Sequence, residues 1–383
     1  MLSCAVIAVR GQTALRVRLS SFFDNDDLRA LTCAMITADD LLRSPSTDPT
    51  PIYRYRDGLY AADLLTAATC HFDFFNWLSS YPSDQEAICS TLGLQQRPLD
   101  VMLTLFTAMG LVRRDGEVYQ LTELAREHLC QSSPWCIAPY FASVKDRPVC
   151  VDMVEVLRTG KPTRWASLKN EKEWATAMRN PAFAGQFTAA MDCRGVYLAP
   201  PLAERLDCAP YDRLLDVAGG SGIYACALVA RHAHMRATIL EKPPVDRLAN
   251  QLLTQRGFAQ KVSVQAGDMF KDPFPGGCDV HLFSNVLHDW DEPQVVQLLA
   301  KSFASLEPGG MIAIHDAHIN AAKTGPLPVA AYSALLMTIT EGKCYSEQEM
   351  AGLLTNAGFL WVAHVPTVAD RSVIIAQKPV SLS

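Results

Sequence analysis

From Arg213 to the C terminus, short apolar runs alternate with helix-length segments, and this alternation restricts the fold more than any other feature of the chain. The runs read RLLDVA, ATILE, VSVQAGD, CDVHLFSNV and MIAIHDA, separated by helical patterns near 225–231, 245–256 and 293–306. Strands joined in series through helices run parallel, because only a crossover of that length returns the chain to the same end of the sheet. The expected class is therefore α/β, a Rossmann-like doubly wound sheet. A helix over 346–357 and strands near 359–365 and 372–377 should close one edge with an antiparallel pair.

The chain has 383 residues, more than one hydrophobic core usefully serves, so at least two domains are expected. Hydrophobic residues make up 49% and charged residues 19%, enough apolar surface to bury a core and too much for a disordered chain. A net charge of −6 gives no general attraction to nucleic acid or to an anionic membrane. No apolar run reaches the roughly 20 residues of a spanning helix, so a cytoplasmic protein is expected. The 12 cysteines are scattered without a C-x-x-C pair and read as reduced thiols. Cys130 and Cys136 come nearest to a metal pair but have no second pair beside them.

Residues 1–50 read as an extension. Arg10, Arg16 and Arg18 precede the first acid, Asp24, which suits an organelle transit peptide, although an upstream start or a loose tail is the preferred reading. The proline-rich 44–52 stretch reads as a linker. Residues 51–136 are expected to form a winged-helix-like unit: one largely buried helix over 58–78, a short helix capped at Ser83, another opened by Pro98, and a hairpin turning at Asp115-Gly116. Between Asp84 and Cys130 four arginines face seven acids, a net of −3 and the wrong sign for tracking phosphates. Packing or dimerisation is the expected use. Residues 137–205 should be helical, and Trp165, Trp174, Met178, Phe183, Phe187 and Met191 serve there as a pocket wall or as interdomain core.

The chemistry-bearing segment is Asp216-Val217-Ala218-Gly219-Gly220-Ser221-Gly222, a glycine turn directly after a buried strand and before a helix. Such a turn lets a ligand lie close to the backbone at the carboxyl edge of the sheet. Glu241 ends the next strand, 25 residues on, where it can accept from two ribose hydroxyls, and Asp268 with Met269 ends the third, beside an adenine. Asp216 on the strand itself would repel a pyrophosphate but suits an amine-bearing ligand, which favours S-adenosylmethionine over a dinucleotide.

In LLDVAGGSG, GDMF, NVLHDWDE, LEPGG and TEGKCYSEQEM, taken in this order, the chain resembles the plant and bacterial small-molecule O-methyltransferases that include the caffeic acid and hydroxyindole enzymes. The resemblance covers roughly residues 55–378. It implies an N-terminal dimerisation domain, a catalytic domain over 206–383, a homodimer, a small-molecule substrate, and S-adenosylmethionine held by Gly219, Glu241, Asp268 and Met269, with Gly220 and Gly222 completing the turn. It also implies that His288 of the His288-Asp289-Trp290 motif is the general base and that Asp316 orients it. The residue type suits the task, since an imidazole can take a phenolic or enolic proton near neutral pH.

Two positions depart from that family. Cys344 stands where a second carboxylate often frames the histidine, with Glu341 nearby as a substitute, and Ser284 stands where many plant relatives carry a lysine beside the cofactor. These departures keep open methyl transfer to carbon, a protein that binds S-adenosylmethionine without methylating, and a winged-helix regulator. His288 with Asp289 could also simply lie at a helix start capped by Asp291. His315, Asp316 and His318 form a metal-like run, but alternation along a strand sends His315 to the opposite face, and His318 is expected in a surface loop.

Overall fold

A computed structural model describes residues 36–163 and 177–380, so Trp165, Trp174 and the two readings of the first 35 residues lie outside the described residues. Helices Thr50–Asp57, Ala61–His71, Phe74–Ser80, Gln85–Leu92 and Gln96–Ala108 lead into a hairpin of β1 (Val112–Asp115) and β2 (Val118–Leu121), paired antiparallel. The helix expected over 58–78 is in fact two. The chain breaks at Asp73, which takes a left-handed φ of 51°, a conformation that a short polar side chain tolerates. The apolar spacing runs through the break because Leu64, Phe74, Phe75 and Leu78 all enter one core. Asp84 caps the next helix, accepting from the Ala87 N–H at 2.8 Å, whereas Ser83 exchanges backbone bonds with Tyr119.

The second layer is a seven-stranded sheet. Strands β3 (Arg213–Val217), β4 (Arg236–Glu241), β5 (Val262–Ala266), β6 (Val280–Ser284) and β7 (Met311–Asp316) are parallel, and β8 (Leu360–Pro366) and β9 (Ser372–Gln377) add the antiparallel edge. The order is β5-β4-β3-β6-β7-β9-β8, so the chain reverses its direction of travel between β3 and β6. Ligands of open α/β sheets bind at the carboxyl edge beside such a reversal.

Two expected boundaries move. Leu41, 2% exposed, lies in the core beneath the sheet with Leu198, Leu202 and Ile223, so the last residues of the supposed extension belong to the sheet layer. Pro51 does not belong to a linker but starts a helix, where its missing N–H costs nothing. The helix Leu327–Ile339, apolar nearly all round, packs into the N-terminal helical core against Gln96–Ala108 rather than standing in a separate 206–383 unit. A buried pair, Arg371 with Asp57 at 2.8 Å, ties the start of β9 to the N-terminal helices. Among the described residues no helix is long and apolar enough to cross a membrane.

Candidate active site

The expected cofactor residues converge on the carboxyl ends of β3, β4 and β5. Asp216 is fully buried, and neither of its carboxylate oxygens has a hydrogen-bond partner among the described residues. Burial pushes its pKa up to about 7. Gly219 lies directly over it: a Cβ there would sit 2.6 Å from the carboxyl carbon, so only glycine lets the turn pass. The Gly220 N–H donates to Glu241 Oε2 at 2.9 Å, and the Lys242 N–H donates to Oε1 at 2.8 Å. These two bonds fix the carboxylate and leave it lone pairs to accept more. Gly222 turns left-handed, φ 77°, to start the Ile223–Arg231 helix.

Asp268 follows β5. Burial opposes its charge, but the Phe270 N–H at 2.9 Å and Lys242 at 3.1 Å hold its pKa below the ordinary value. Met269 is buried beside it, and Phe270 meets Trp290 edge to face at 4.6 Å. Ser284 is buried inside the sheet rather than turned outward. Its hydroxyl is shared with His315 Nδ1 at 2.8 Å and the Asn285 amide at 3.3 Å.

His288 and Asp316 come together because β6 and β7 are parallel neighbours. Ser284 pairs with His315, so the turn after β6 and the last residue of β7 share one edge. His288 sits in the short turn Leu287–Asp289, and its Nδ1 lies 2.5 Å from Asp316 Oδ1. Asp316 also accepts from the Ala317 N–H at 2.8 Å. Burial disfavours both charges, yet each holds the other: His288 is raised above its ordinary value by Asp316 and then by Asp289, while His288 keeps Asp316 at about 2. An Nδ1–H donated to Asp316 leaves Nε2 as the basic nitrogen, with Asp289 3.5 Å from it. Asp291 does cap the following helix, accepting from the Gln294 N–H at 3.2 Å, and His288 lies in the short turn before it.

Among the described residues no group of three or more His, Cys, Asp or Glu is placed to hold a metal. His318 is buried, against the expectation of a surface loop, because β9 covers it: its Nδ1 meets Ser372 Oγ at 2.8 Å, and burial pulls its pKa down to about 4. The Cys344 thiol is buried and its pKa is pushed well above the ordinary range, so it stays neutral and does not replace a carboxylate. Glu341 instead adds its charge to the field of Arg97.

Sequence reasoning missed the residues that seat His288. Gly342 packs against the His288 carbonyl so closely that a Cβ would overlap that oxygen. Arg97 holds Gly342 in place by donating to its carbonyl at 2.8 Å, and Tyr345 donates to the Trp290 carbonyl at 2.7 Å. Next along, Lys343 and Lys323 both bond Asp100 and Glu349 at 2.6–3.0 Å, tying this loop to the Gln96–Ala108 helix. Tyr332 meets the His288 ring edge to face at 5.8 Å, with the Arg371 guanidinium 4.5 Å from the centre of its own ring. Asn285, left-handed at φ 54°, donates to the Tyr224 hydroxyl at 3.1 Å. The one available signal was the glycine in Glu341-Gly342-Lys343. Of the aromatic set, Met178 is buried with Val245, and Phe183 and Phe187, partly buried, pack against them together with Leu248.

Residues 152–360 match the model of the O-methyltransferase domain family. The chain is 31% identical over 314 residues to the 3-hydroxy-5-methyl-1-naphthoate 3-O-methyltransferase of Streptomyces sahachiroi, covering 81% of this chain and 89% of that one. It is 28% identical over 316 residues to the L-tyrosine C(3)-methyltransferase of Streptomyces lavendulae, covering 79% and 84%. Among solved structures, an O-methyltransferase family 2 protein from Planctomyces limnophilus, crystallised with apigenin, superimposes with a TM-score of 0.80 at 34% identity over 90% of this chain and all of that one.

Proposed function

The chain belongs to the S-adenosylmethionine-dependent small-molecule O-methyltransferases, and from that premise we propose that it methylates a hydroxyl of an aromatic or polyketide-like molecule, with His288 as general base and Asp316 as its orienting group. The observation that carries the reading is the 2.5 Å His288–Asp316 contact, on the same sheet edge as the cofactor turn. The residues present fit the cofactor. The bare buried carboxylate of Asp216 matches an ammonium group, and the cradle at Gly219 admits a ligand close to the backbone. Asp216, Gly219, Gly220 and Gly222 would hold the amino acid end, Glu241 the ribose, and Asp268 with Met269 the adenine. Ser284 supports the site from behind through His315 and Asn285.

S-adenosylmethionine supplies an electrophilic methyl group on a sulfonium. The protein's part is to hold the acceptor oxygen in line with that methyl and to remove its proton. A phenol of pKa near 10 is ionised in only about one molecule in a thousand at pH 7, so a base is needed as the oxygen attacks. His288 Nε2 takes the proton, and Asp316 stabilises the resulting imidazolium at Nδ1. The proton stays on the imidazole until solvent removes it. Alignment of the reacting atoms supplies much of the remaining acceleration.

A second reading, transfer to a ring carbon, is favoured by the similarity to a C-methyltransferase, and the same base serves it. We place the winged-helix-like region in a homodimer interface rather than on DNA. Tyr55, Trp135 and Tyr140 support this, being 85%, 66% and 81% exposed on that half of the chain. Incubation with S-adenosylmethionine and a panel of hydroxyarenes, read as S-adenosylhomocysteine formed and as methyl position by NMR, tests the activity. An O-methyl product is expected. A C-methyl product overturns the first reading in favour of the second, and no S-adenosylhomocysteine with any acceptor overturns both.

A further inference from the structure

Arg194 is a cation of the acceptor side for which the catalytic scheme gives no use. It lies on the Pro181–Arg205 helix, its Nη1 donates to the Tyr332 hydroxyl at 3.2 Å, and its Nε is buried with no hydrogen-bond partner among the described residues. It makes no ion pair with a described carboxylate. Other buried guanidiniums have a carboxylate or carbonyl acceptor, even where an N–H of Arg256 or Arg371 is left bare: Arg371 meets Asp57 at 2.8 Å, Arg256 meets Asp192 at 2.5 Å, and Arg97 donates to the carbonyls of Gly342 and Gly160. A guanidinium left with a neutral hydroxyl and a bare N–H is costly to bury, and an anion arriving with the ligand removes that cost.

Tyr332 fixes where such an anion would lie. Its ring packs on His288 while its hydroxyl meets Arg194, so the base and the guanidinium stand on two sides of one tyrosine. A ligand whose hydroxyl reaches His288 Nε2 would then present a ring substituent to Arg194. The fixed charges at the base itself, Asp289 and Asp316, are negative and would repel an acid unless a cation met it.

We infer that Arg194 binds a carboxylate of the methyl acceptor, so that the preferred substrates are aromatic hydroxy acids rather than neutral phenols. The amino acid tail of the cofactor also carries a carboxylate, but the bond to Tyr332, which packs on the base, sets Arg194 on the acceptor's side. The inference uses the proposed function only to locate the acceptor. Its test therefore reads binding rather than turnover, and a failure to methylate does not pass for a failure to bind.

The experiment is calorimetric titration of the full chain, saturated with S-adenosylhomocysteine, with two matched pairs: 3-hydroxy-2-naphthoate against 2-naphthol, and salicylate against phenol. Wild type is expected to bind the acid of each pair about 10- to 100-fold more tightly, the range of one charge-assisted contact. Arg194→Gln should abolish that preference, Arg194→Lys should keep part of it, and S-adenosylhomocysteine affinity should stay constant across all three. Acids that bind wild type no more tightly than their neutral partners overturn the proposal. A preference that survives in Arg194→Gln overturns it too. Loss of S-adenosylhomocysteine affinity in Arg194→Gln, with affinity for 5′-methylthioadenosine retained, assigns the arginine to the cofactor tail and likewise overturns it.

Discussion

The proposed cofactor side and the proposed acceptor side share one sheet edge, yet they are built in different ways. At β3 to β5 each proposed cofactor contact lies on a strand end or in the turn beside it, and the bonds that fix it come from the same turn or from the adjacent strand end: Gly219 over Asp216, Gly220 and Lys242 on Glu241, Phe270 on Asp268. At β6 and β7 the proposed base, His288, depends on residues from distant segments: Gly342 under its carbonyl, Arg97 beneath that glycine, and Tyr332 against its ring. A local site tolerates movement between layers, whereas an assembled one registers every shift of the helical layer. Damage to the two sides should therefore separate, cofactor affinity reporting one and turnover the other.

Gly342→Ala should show the largest separation. A methyl group there must displace the His288 segment, and a misplacement of about 1 Å costs on the order of 100-fold in kcat. S-adenosylhomocysteine affinity by calorimetry should hold within about twofold. Equal loss of both would mean that the two sides are one unit. Glu241→Ala is the converse, with cofactor affinity falling about 10- to 100-fold as the proposed ribose contacts go, while kcat at saturating cofactor changes little. A fall in kcat with unchanged affinity would remove the glutamate from the cofactor side.

Asp316→Asn should act on the pH profile. Asp316 raises the His288 pKa above its ordinary value, and a base works only when unprotonated, so if His288 is the proposed base the wild-type acid limb of kcat/KM should lie above the usual histidine range. Removing the charge lowers that pKa and moves the limb to lower pH, at reduced maximal rate because the imidazolium formed in the reaction loses the negative charge facing Nδ1. An unmoved limb would break the pairing. The smallest effect belongs to Asp216. Its raised pKa of about 7 means that binding a cationic ammonium favours the anion, so at pH 6 binding should release a fraction of a proton, read as a buffer dependence of the calorimetric heat. Asp216→Asn should abolish that dependence.

The same contrast governs what could be read from the sequence. Strand alternation and the glycine turn are contiguous signals, so the parallel sheet, its antiparallel edge and the convergence of Asp216, Glu241 and Asp268 could be anticipated. His288 and Asp316 were found through a family motif, and their contact follows from strand order, which residue spacing alone does not give. Arg194, Tyr332 and Gly342 carry no local pattern: a glycine that fits only because a carbonyl lies over it looks like any loop glycine. The proline-rich 44–52 stretch misled in the same way, since Leu41 is buried by residues more than 150 positions away. His318 was placed on the surface because nothing near it in sequence announces that β9 folds over it.

The most direct test of the account is His288→Ala, read by calorimetry with S-adenosylhomocysteine and by S-adenosylhomocysteine formed from S-adenosylmethionine and an acceptor that the wild type methylates. Cofactor affinity equal to wild type with turnover reduced about 100- to 10,000-fold is the predicted result. Wild-type turnover in the variant, or loss of cofactor binding by the folded protein, would contradict it.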